Sequence, residues 1–495
     1  MSKSGIPSSM QATTRILLVC IVLLILGFAI GCGGHSNAAP GTPTPTPTPG
    51  VTSAQVRIGD APANSVIGFE VTFGNPLTVT LSTGQSANIT LQNNRLELSH
   101  MAAKMEPLSV VGFPQGSISS IQLTLTDPEV TYLDAAGKPH TFAGNPVQPV
   151  TFNLNPPLVI GSSPTVVNVD INVAGTLTFD PSGTVTAITF SGSSFTFTTK
   201  AIAAEAEQQD DSGEMEGVTG KVTVVNGNDF EVAAGQGGAS ITFVTDATTQ
   251  FDKVTLATLL NQIVKVEGFT KPDGTVFARE VEGLESQSGS ELEGLISAIP
   301  APPPAPASSL VLLLQDGTGN GMDPAKMGQS FTVNLTGLAK YAVDQGKCDM
   351  GGSASSLLFD ATHISAGQRI EVELNDGVPP PNGSTSVPDQ IKLEQQALTG
   401  IVAAGSMVQK GGGAAEFDLN LPGDSYLTLL SGATLVHVFL QPVTDKKVTT
   451  IAEGATIRVR GLLFFTPNAP AAGSAATSIV PTGFFNMVAR RVTAP

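Results

Sequence analysis

The amino-acid sequence predicts an all-β protein, with an N-terminal antiparallel β-sandwich followed by three tandem small β-barrels. Short runs alternate between apolar and polar residues, as in residues 167–173 (VNVDINV), and this alternation is typical of half-buried strands. Turn signals rich in glycine and proline separate the runs, for example residues 180–183 (DPSG). Charged residues make up only 13% of the chain, which fits an exported β protein better than a disordered one.

The first residues predict an export signal that ends in a lipid attachment site. Lys3 and Arg15 precede an apolar run over residues 16–30, and small residues lead up to Cys32. This order is typical of a bacterial lipoprotein signal peptide over residues 1–31, after whose removal the thiol of Cys32 accepts a diacylglycerol. The alternative is an uncleaved membrane anchor, but the apolar run is shorter than the roughly 20 residues that span a bilayer.

Residues 32–50 are predicted to form a tether between the lipid and the first domain. The Thr-Pro repeat over residues 42–49 favours an extended polyproline conformation, because each proline fixes φ and lacks an N–H group. Gly33 follows the lipidated cysteine where Asp would favour retention in the inner membrane, so the outer membrane is the favoured location. We therefore expect an exported cell-envelope protein that is bound to the membrane through its lipid.

Residues 51–200 are predicted to form the β-sandwich. Alternating runs such as residues 77–81 (LTVTL) place one side of each strand on a core and the other side in water. Residues 56–63 (VRIGDAPA), followed by a strand over residues 69–73, resemble the opening of the bacterial family catalogued as domain of unknown function 4382. This resemblance implies an exported β domain and implies no activity.

Residues 201–216 are predicted to form an acidic linker, because Asp and Glu are frequent there and apolar residues are few. The segment is interpreted as a solvated hinge, with a strip that attracts cations as the alternative.

A loose pattern recurs three times after this linker. Each copy opens with a glycine and small apolar residues, at Gly217, Gly294 and Gly400, and each continues with alternating strands. The copies are too long for the units of a solenoid, so they indicate tandem small barrels. The three copies occupy residues 217–285, 291–397 and 398–495.

The repeats resemble the bacterial family catalogued as domain of unknown function 5666, which implies OB-like β-barrels. The first copy carries the resemblance in residues 217–220 (GVTG), 264–268 (VKVEG) and 273–281 (DGTVFAREV), and the other two copies are degenerate. OB-like barrels often bind nucleic acid through a basic groove and stacked aromatic side chains. The net charge of −17 and the predicted export argue against nucleic acid as a partner.

The sequence contains no recognisable catalytic motif. The five histidines are scattered, and neither an H-E-x-x-H pair nor a G-x-S-x-G elbow is present, so we expect no catalytic residues and no enzyme activity. Cys20 lies in the signal peptide and Cys32 takes the lipid, which leaves Cys348 without a disulfide partner. Cys348 is either a reactive thiol or an unreactive one, and the absence of a flanking histidine favours the second interpretation.

One segment could hold a cation. Asp316, Asn320 and Asp323 alternate with glycines in residues 316–323 (DGTGNGMD), which resembles the start of a calcium loop. The twelfth position is Met327 instead of a bidentate glutamate, which favours a flexible hairpin insertion. Calcium is therefore the one candidate cofactor, and we expect no other.

These features together predict a non-enzymatic cell-envelope lipoprotein with a structural or adhesive role at the surface or in the periplasm. Its expected partners are the membrane, through the lipid, and an envelope protein or polysaccharide. The alternative is a ligand-binding module for glycan or calcium. The absence of Trp and the presence of only three Tyr disfavour an aromatic platform for sugars.

Overall fold

The computed structural model describes residues within Pro49–Pro495. Its described residues are 50–60, 64–92, 95–99, 106–202, 214–234, 240–284, 290–300, 306–319, 328–338, 340–344, 348, 350–374, 382–468 and 483–494. Across these ranges, no helix has both the length and the apolar character that crossing a membrane requires. The regular structure is almost entirely β, as predicted.

The first domain contains two facing sheets, a small two-stranded sheet and a short helix. Its elements are β1 (Val51–Asp60), β2 (Val66–Phe73), β3 (Leu77–Leu81), β4 (Ser86–Ile89), β5 (Arg95–Glu97), β6 (Glu106–Pro114), β7 (Gly116–Leu133), β8 (Pro139–Ala143), β9 (Val147–Ile160), β10 (Thr165–Ile171), α1 (Val173–Thr176), β11 (Leu177–Phe179), β12 (Val185–Ile188) and β13 (Phe195–Ala201).

The two facing sheets of this domain form the predicted sandwich, and β11 pairs with β12 in the separate two-stranded sheet. One sheet has the order β13-β10-β1-β6, and the other is organised by the long strand β7, which pairs with β2, β3, β8 and β9. Phe69, Val79, Phe152 and Val167 are among the buried side chains of its core. One pair departs from the antiparallel expectation: β1 and β10 run parallel, at the centre of the sheet β13-β10-β1-β6.

Three sheets follow, which we call barrel 1, barrel 2 and barrel 3. Barrel 1 contains β14 (Glu214–Asn226), β15 (Asp229–Ala234), β16 (Ser240–Val244), β17 (Gln250–Asp252), β18 (Ile263–Thr270) and β19 (Val276–Gly283). Barrel 2 contains β20 (Ser290–Ala298), β21 (Ser309–Gly319), β22 (Ser330–Asn334), β23 (Tyr341–Val343), β24 (Arg369–Leu374) and β25 (Gln390–Leu393). Barrel 3 contains β26 (Gln395–Val402), β27 (Val408–Gly411), β28 (Ala414–Asn420), α2 (Tyr426–Ser431), β29 (Leu435–Lys446), β30 (Thr456–Pro467) and β31 (Gly483–Thr493).

The strand order identifies the three sheets as variants of one barrel. In barrel 1 the order is β16-β15-β14-β18-β19, and a parallel pairing of Val244 with Phe277 joins β16 to β19 and closes a five-stranded barrel. Barrel 2 repeats this order with β22-β21-β20-β24-β25, and β23 pairs in parallel with β25 as β17 does with β19. In barrel 3 the long β29 makes the parallel pairing with β31, and β26 also pairs with β28. These Greek-key barrels are OB-like, as predicted.

Glycines allow the strands to bend tightly enough for so small a barrel. The strand register shifts beside Gly268, Gly294 and Gly461, which is the mark of a β-bulge. A Cβ atom at any of these positions would overlap a carbonyl oxygen of the neighbouring strand. Gly294 is one of the glycines that open the repeats in the sequence, so the repeated pattern reflects a steric need of the barrel.

We expect Gly461→Ala to lower the free energy of unfolding by about 1–3 kcal/mol, because the added methyl group has no space next to β31. Gly423→Ala in the same barrel is the matched control, since an added Cβ there meets nothing within 4 Å. Urea unfolding followed by circular dichroism measures both changes. Equal stability of the two variants would contradict the steric role of Gly461.

Candidate functional site

Charged side chains from barrels 1 and 2 meet in one buried cluster, which we call the ionic junction. Lysine ammonium groups and carboxylates of both barrels approach one another there, across the contact between the two sheets. Its members are Lys253, Lys265 and Glu282 from barrel 1, and Glu291, Asp344, Glu371, Glu373, Lys392 and Glu394 from barrel 2.

The central strand of this junction is β24, which is buried on both faces. Its alternation sends Ile370 and Val372 into the core of barrel 2 and places Glu371 and Glu373 on the opposite face. That outer face would normally meet water. Here barrel 1 covers it, so the carboxylates are buried against the lysines of a neighbouring domain.

Two lysines connect the barrels directly. The Nζ atom of Lys253 in barrel 1 lies 2.9 Å from Oε1 of Glu373 in barrel 2. The Nζ atom of Lys392 in barrel 2 lies 2.9 Å from Oε1 of Glu371 and 3.8 Å from Oε1 of Glu282 in barrel 1. Gln390 also donates a hydrogen bond of 2.8 Å from Nε2 to Oε1 of Glu373. Each barrel therefore supplies partners that the other barrel's charges need.

Burial shifts the ionisation of the carboxyl groups. Burial, assisted by the negative charge of Glu371, raises the pKa of Glu291 to about 8. Burial also raises the pKa of Glu371 and of Glu394. Burial alone would lower the pKa of Lys265, but the carboxylates of Glu394 and Glu371 more than reverse this effect, so the pKa lies well above its usual value. At neutral pH the lysines are therefore charged while the Glu291 carboxyl group retains its proton.

The carboxylates of the junction do not need a metal ion. Glu291, Glu371 and Glu373 bring carboxylate oxygens within 4.8 Å of one another. However, Lys392 and Lys253 each lie 2.9 Å from one of these glutamates and supply positive charge from within the protein. We therefore assign no metal to this group.

Barrels 2 and 3 share an apolar core. Leu462, Phe464 and Val488 of barrel 3 belong to the same buried cluster as the core of barrel 2. Cys348 lies in this shared core, with 6% of its surface exposed and its Sγ atom 3.9 Å from the carbonyl oxygen of Val488. Burial raises the pKa of Cys348 to about 12, which favours the unreactive interpretation of this thiol.

The sandwich meets barrels 2 and 3 at Tyr426 of α2. The backbone N–H of Tyr426 donates a hydrogen bond of 2.9 Å to the carbonyl oxygen of Asn64 in the sandwich. Gln396 donates from Nε2 to the Tyr426 hydroxyl at 2.9 Å and accepts at Oε1 from the backbone N–H of Arg369 at 2.7 Å. The cavity at this junction has a volume of about 40 Å³. It can hold one or two waters and is far smaller than the roughly 300 Å³ of a small-molecule site.

The outer face of barrel 3 combines a histidine with apolar side chains. His437 contacts Oδ1 of Asp418 through Nδ1 at 2.7 Å, and its ring lies edge-on to Phe439 at a centroid distance of 4.8 Å. Leu435 and Phe484, on the paired strands β29 and β31, expose 44% and 52% of their surface. This face offers an accessible surface of mixed polarity.

The described histidines have local structural partners. His140, His363 and His437 each contact an aspartate of their own domain, namely Asp134, Asp360 and Asp418, at 2.7–2.8 Å. The three pairs belong to the sandwich, barrel 2 and barrel 3, respectively. His35 and His100 lie outside the described residues.

The predicted lipid and calcium residues fall mainly outside the described part of the chain. Cys32, Asn320 and Asp323 all lie outside it. The backbone of Asp316 belongs to β21, where it pairs with Glu293 of β20. Calcium binding by Asp316, Asn320 and Asp323 therefore stays a prediction, as does lipidation of Cys32.

Sequence reasoning missed the ionic junction, although a signal was present. Residues 369–374 (RIEVEL) and 392–394 (KLE) alternate charged and apolar residues in the second repeat. This alternation identifies the strands correctly, but it looks the same whether the charged face meets water or another domain.

We expect Lys392→Met to lower the free energy of unfolding by about 3–5 kcal/mol, because it leaves the buried Glu371 and the partly buried Glu282 without this counter-charge. Lys410→Met is the matched control, since Lys410 forms a more exposed pair with Glu416 at 2.8 Å and its loss should change stability by about 1 kcal/mol or less. Urea unfolding at pH 7 compares the two. A loss at Lys392 no greater than that at Lys410 would contradict the importance of the buried pairs.

Comparisons with known proteins bear on barrel 1. Residues 219–282 match the family model described as "Domain of unknown function (DUF5666)". No curated protein matches the chain. The solved structure "drosophila Unr CSD456" is 11% identical, with a TM-score of 0.12, and the match covers 50% of this chain and 90% of that chain. The family match confirms the resemblance predicted for the first repeat, and barrel 1 is therefore similar to DUF5666 domains.

Proposed function

We propose that the chain is a non-enzymatic lipoprotein of the bacterial cell envelope whose β domains act as a structural or adhesive module. The observation that supports this most is that the domain junctions are closed by buried contacts. Barrels 1 and 2 meet through the ionic junction, barrels 2 and 3 share an apolar core, and the sandwich is hydrogen-bonded to Tyr426. Such junctions hold domains in one arrangement, which suits a module that bears load or presents a surface.

The outer face of barrel 3 is the surface that we propose for contact with an envelope protein or polysaccharide. Ile401 of β26 and Leu435 of β29 both pair with Asn420 of β28, so the two side chains lie in one row across the barrel. Ile401 and Leu435 expose 48% and 44% of their surface, and Phe484 extends the exposed apolar surface on β31. Exposed apolar side chains in such a row favour a binding surface.

Glycan binding is the second candidate for this face, because OB-folds include oligosaccharide-binding modules. The exposed ring of Phe484 supplies one apolar surface against which a sugar could pack. Binding of a soluble glycan at stoichiometric occupancy would favour this alternative over a purely structural role. The calcium alternative has only the spacing of Asp316, Asn320 and Asp323 in its support.

The proposed location depends on Cys32. The export signal and the Thr-Pro tether support attachment to a membrane by lipid, and Gly33 favours the outer membrane. The net charge of −17 supports the proposal that neither nucleic acid nor an anionic membrane surface is a partner of the β domains.

We expect Cys32→Ser to abolish labelling of the protein by radioactive palmitate and to remove the mature protein from the outer-membrane fraction, because the lipid acceptor is lost. Cys348→Ser is the matched control and should leave labelling and fractionation unchanged. Metabolic labelling followed by membrane fractionation of a Gram-negative host measures both. A wild-type chain without label, still carrying residues 1–31, would contradict the lipoprotein proposal and favour the uncleaved anchor.

A further inference from the structure

The ionic junction contains more carboxyl groups than ammonium groups. Among the described residues that define it, six carboxyl groups face three lysines. Arg369 lies nearby but is paired with Glu293 at 2.8 Å. Other charged groups around the junction are Glu280, Arg279 and Asp252 of barrel 1, and Glu97 of the sandwich.

The carboxyl groups and lysines of the junction are divided unequally between the two barrels. Barrel 1 contributes Lys253 and Lys265 with one carboxylate, Glu282, whereas barrel 2 contributes five carboxyl groups with one lysine, Lys392. The acidic face of barrel 2 and the basic groups of barrel 1 therefore attract each other. If barrel 1 moved away, the carboxyl groups of barrel 2 would meet water and ionise at their ordinary pKa values.

We propose that docking of barrel 1 on barrel 2 takes up at least one proton at the ionic junction, so that the contact tightens at mildly acidic pH and loosens as the pH becomes alkaline. The geometry supports this because a surplus of carboxyl groups is enclosed between two domains, where full ionisation would leave uncompensated negative charge. This inference goes beyond the proposed structural role, since it makes the domain contact responsive to pH.

Glu291 is the clearest proton carrier. Burial and the charge of Glu371 raise its pKa to about 8, while Lys392 and Lys265 act in the opposite direction and Glu282 adds to the increase. The docked state therefore keeps a proton between about pH 4.5 and 8 that the undocked state releases. Docking consequently weakens as the pH rises through this interval, by about tenfold per pH unit for one proton.

The other groups do not reverse this direction. Burial raises the pKa of Glu371 and of Glu394, so both add to the loss of docking as the pH rises. The pKa values of Lys253, Lys265 and Lys392 all lie above their usual value. Their contribution to docking is therefore complete below about pH 10 and is constant over the interval in which the carboxyl groups titrate.

Hydrogen exchange of the full-length protein tests this proposal when wild type and Glu291→Gln are compared at the same pH. The glutamine is neutral at every pH, so its docking does not depend on ionisation at this position. We expect the ratio of wild-type to variant exchange rates in β18 and β24 to rise by about tenfold or more between pH 6.0 and pH 8.5. Comparison at one pH removes the intrinsic pH dependence of exchange.

Glu231→Gln, a substitution in β15 outside the junction, is the matched control, and its ratio should be the same at both pH values. Glu394→Gln provides a second neutral substitution, which keeps the test valid if Glu291→Gln folds poorly. For this variant too, we expect the ratio of wild-type to variant exchange rates to rise between pH 6.0 and pH 8.5. A ratio that does not change with pH for a folded Glu291→Gln or Glu394→Gln protein would overturn the proposal.

Discussion

The ion pairs buried between barrels 1 and 2 are the interaction on which the arrangement of these domains depends. Lys253 reaches Glu373 of the other barrel at 2.9 Å, and Lys392 contacts carboxylates of both barrels. Such pairs add little net stability compared with apolar packing, but an unmatched charge in the same place is strongly destabilising. The junction therefore selects one arrangement of the two barrels, because any other would leave lysines or glutamates buried without their partners.

The small size of each barrel explains why its outer surfaces are used for contacts with other domains. A five-stranded barrel has a small core, and small domains bury too little apolar surface to be very stable alone. Barrel 2 compensates on two sides, with an ionic contact to barrel 1 and an apolar core shared with Leu462, Phe464 and Val488 of barrel 3. The same contacts that stabilise the barrels also fix their arrangement, and this is what connects the fold to the proposed structural or adhesive role.

The sequence was sufficient to predict the strands and the barrels but not the contacts between them. Alternation in residues 369–374 and the glycine at position 294 have local causes, namely a strand with one face on a core and a bulge without space for a Cβ atom. Burial of Glu371 beside another domain has no local cause, since it involves residues such as Lys265 that are distant in the chain. The parallel pair of β1 and β10 is non-local in the same way. Lipidation at Cys32 and the calcium set stay predictions from sequence.

Native-state hydrogen exchange in increasing guanidinium chloride at pH 6 tests most directly whether the ionic junction makes barrels 1 and 2 one cooperative unit. The measurement gives the free energy of the opening that exposes each amide proton. If the account is correct, the most protected amides of β18 in barrel 1 and of β24 in barrel 2 converge on one opening free energy with the same denaturant dependence. Opening of β18 at a clearly lower free energy, while β24 stays protected, would show that barrel 1 unfolds independently and would contradict the account.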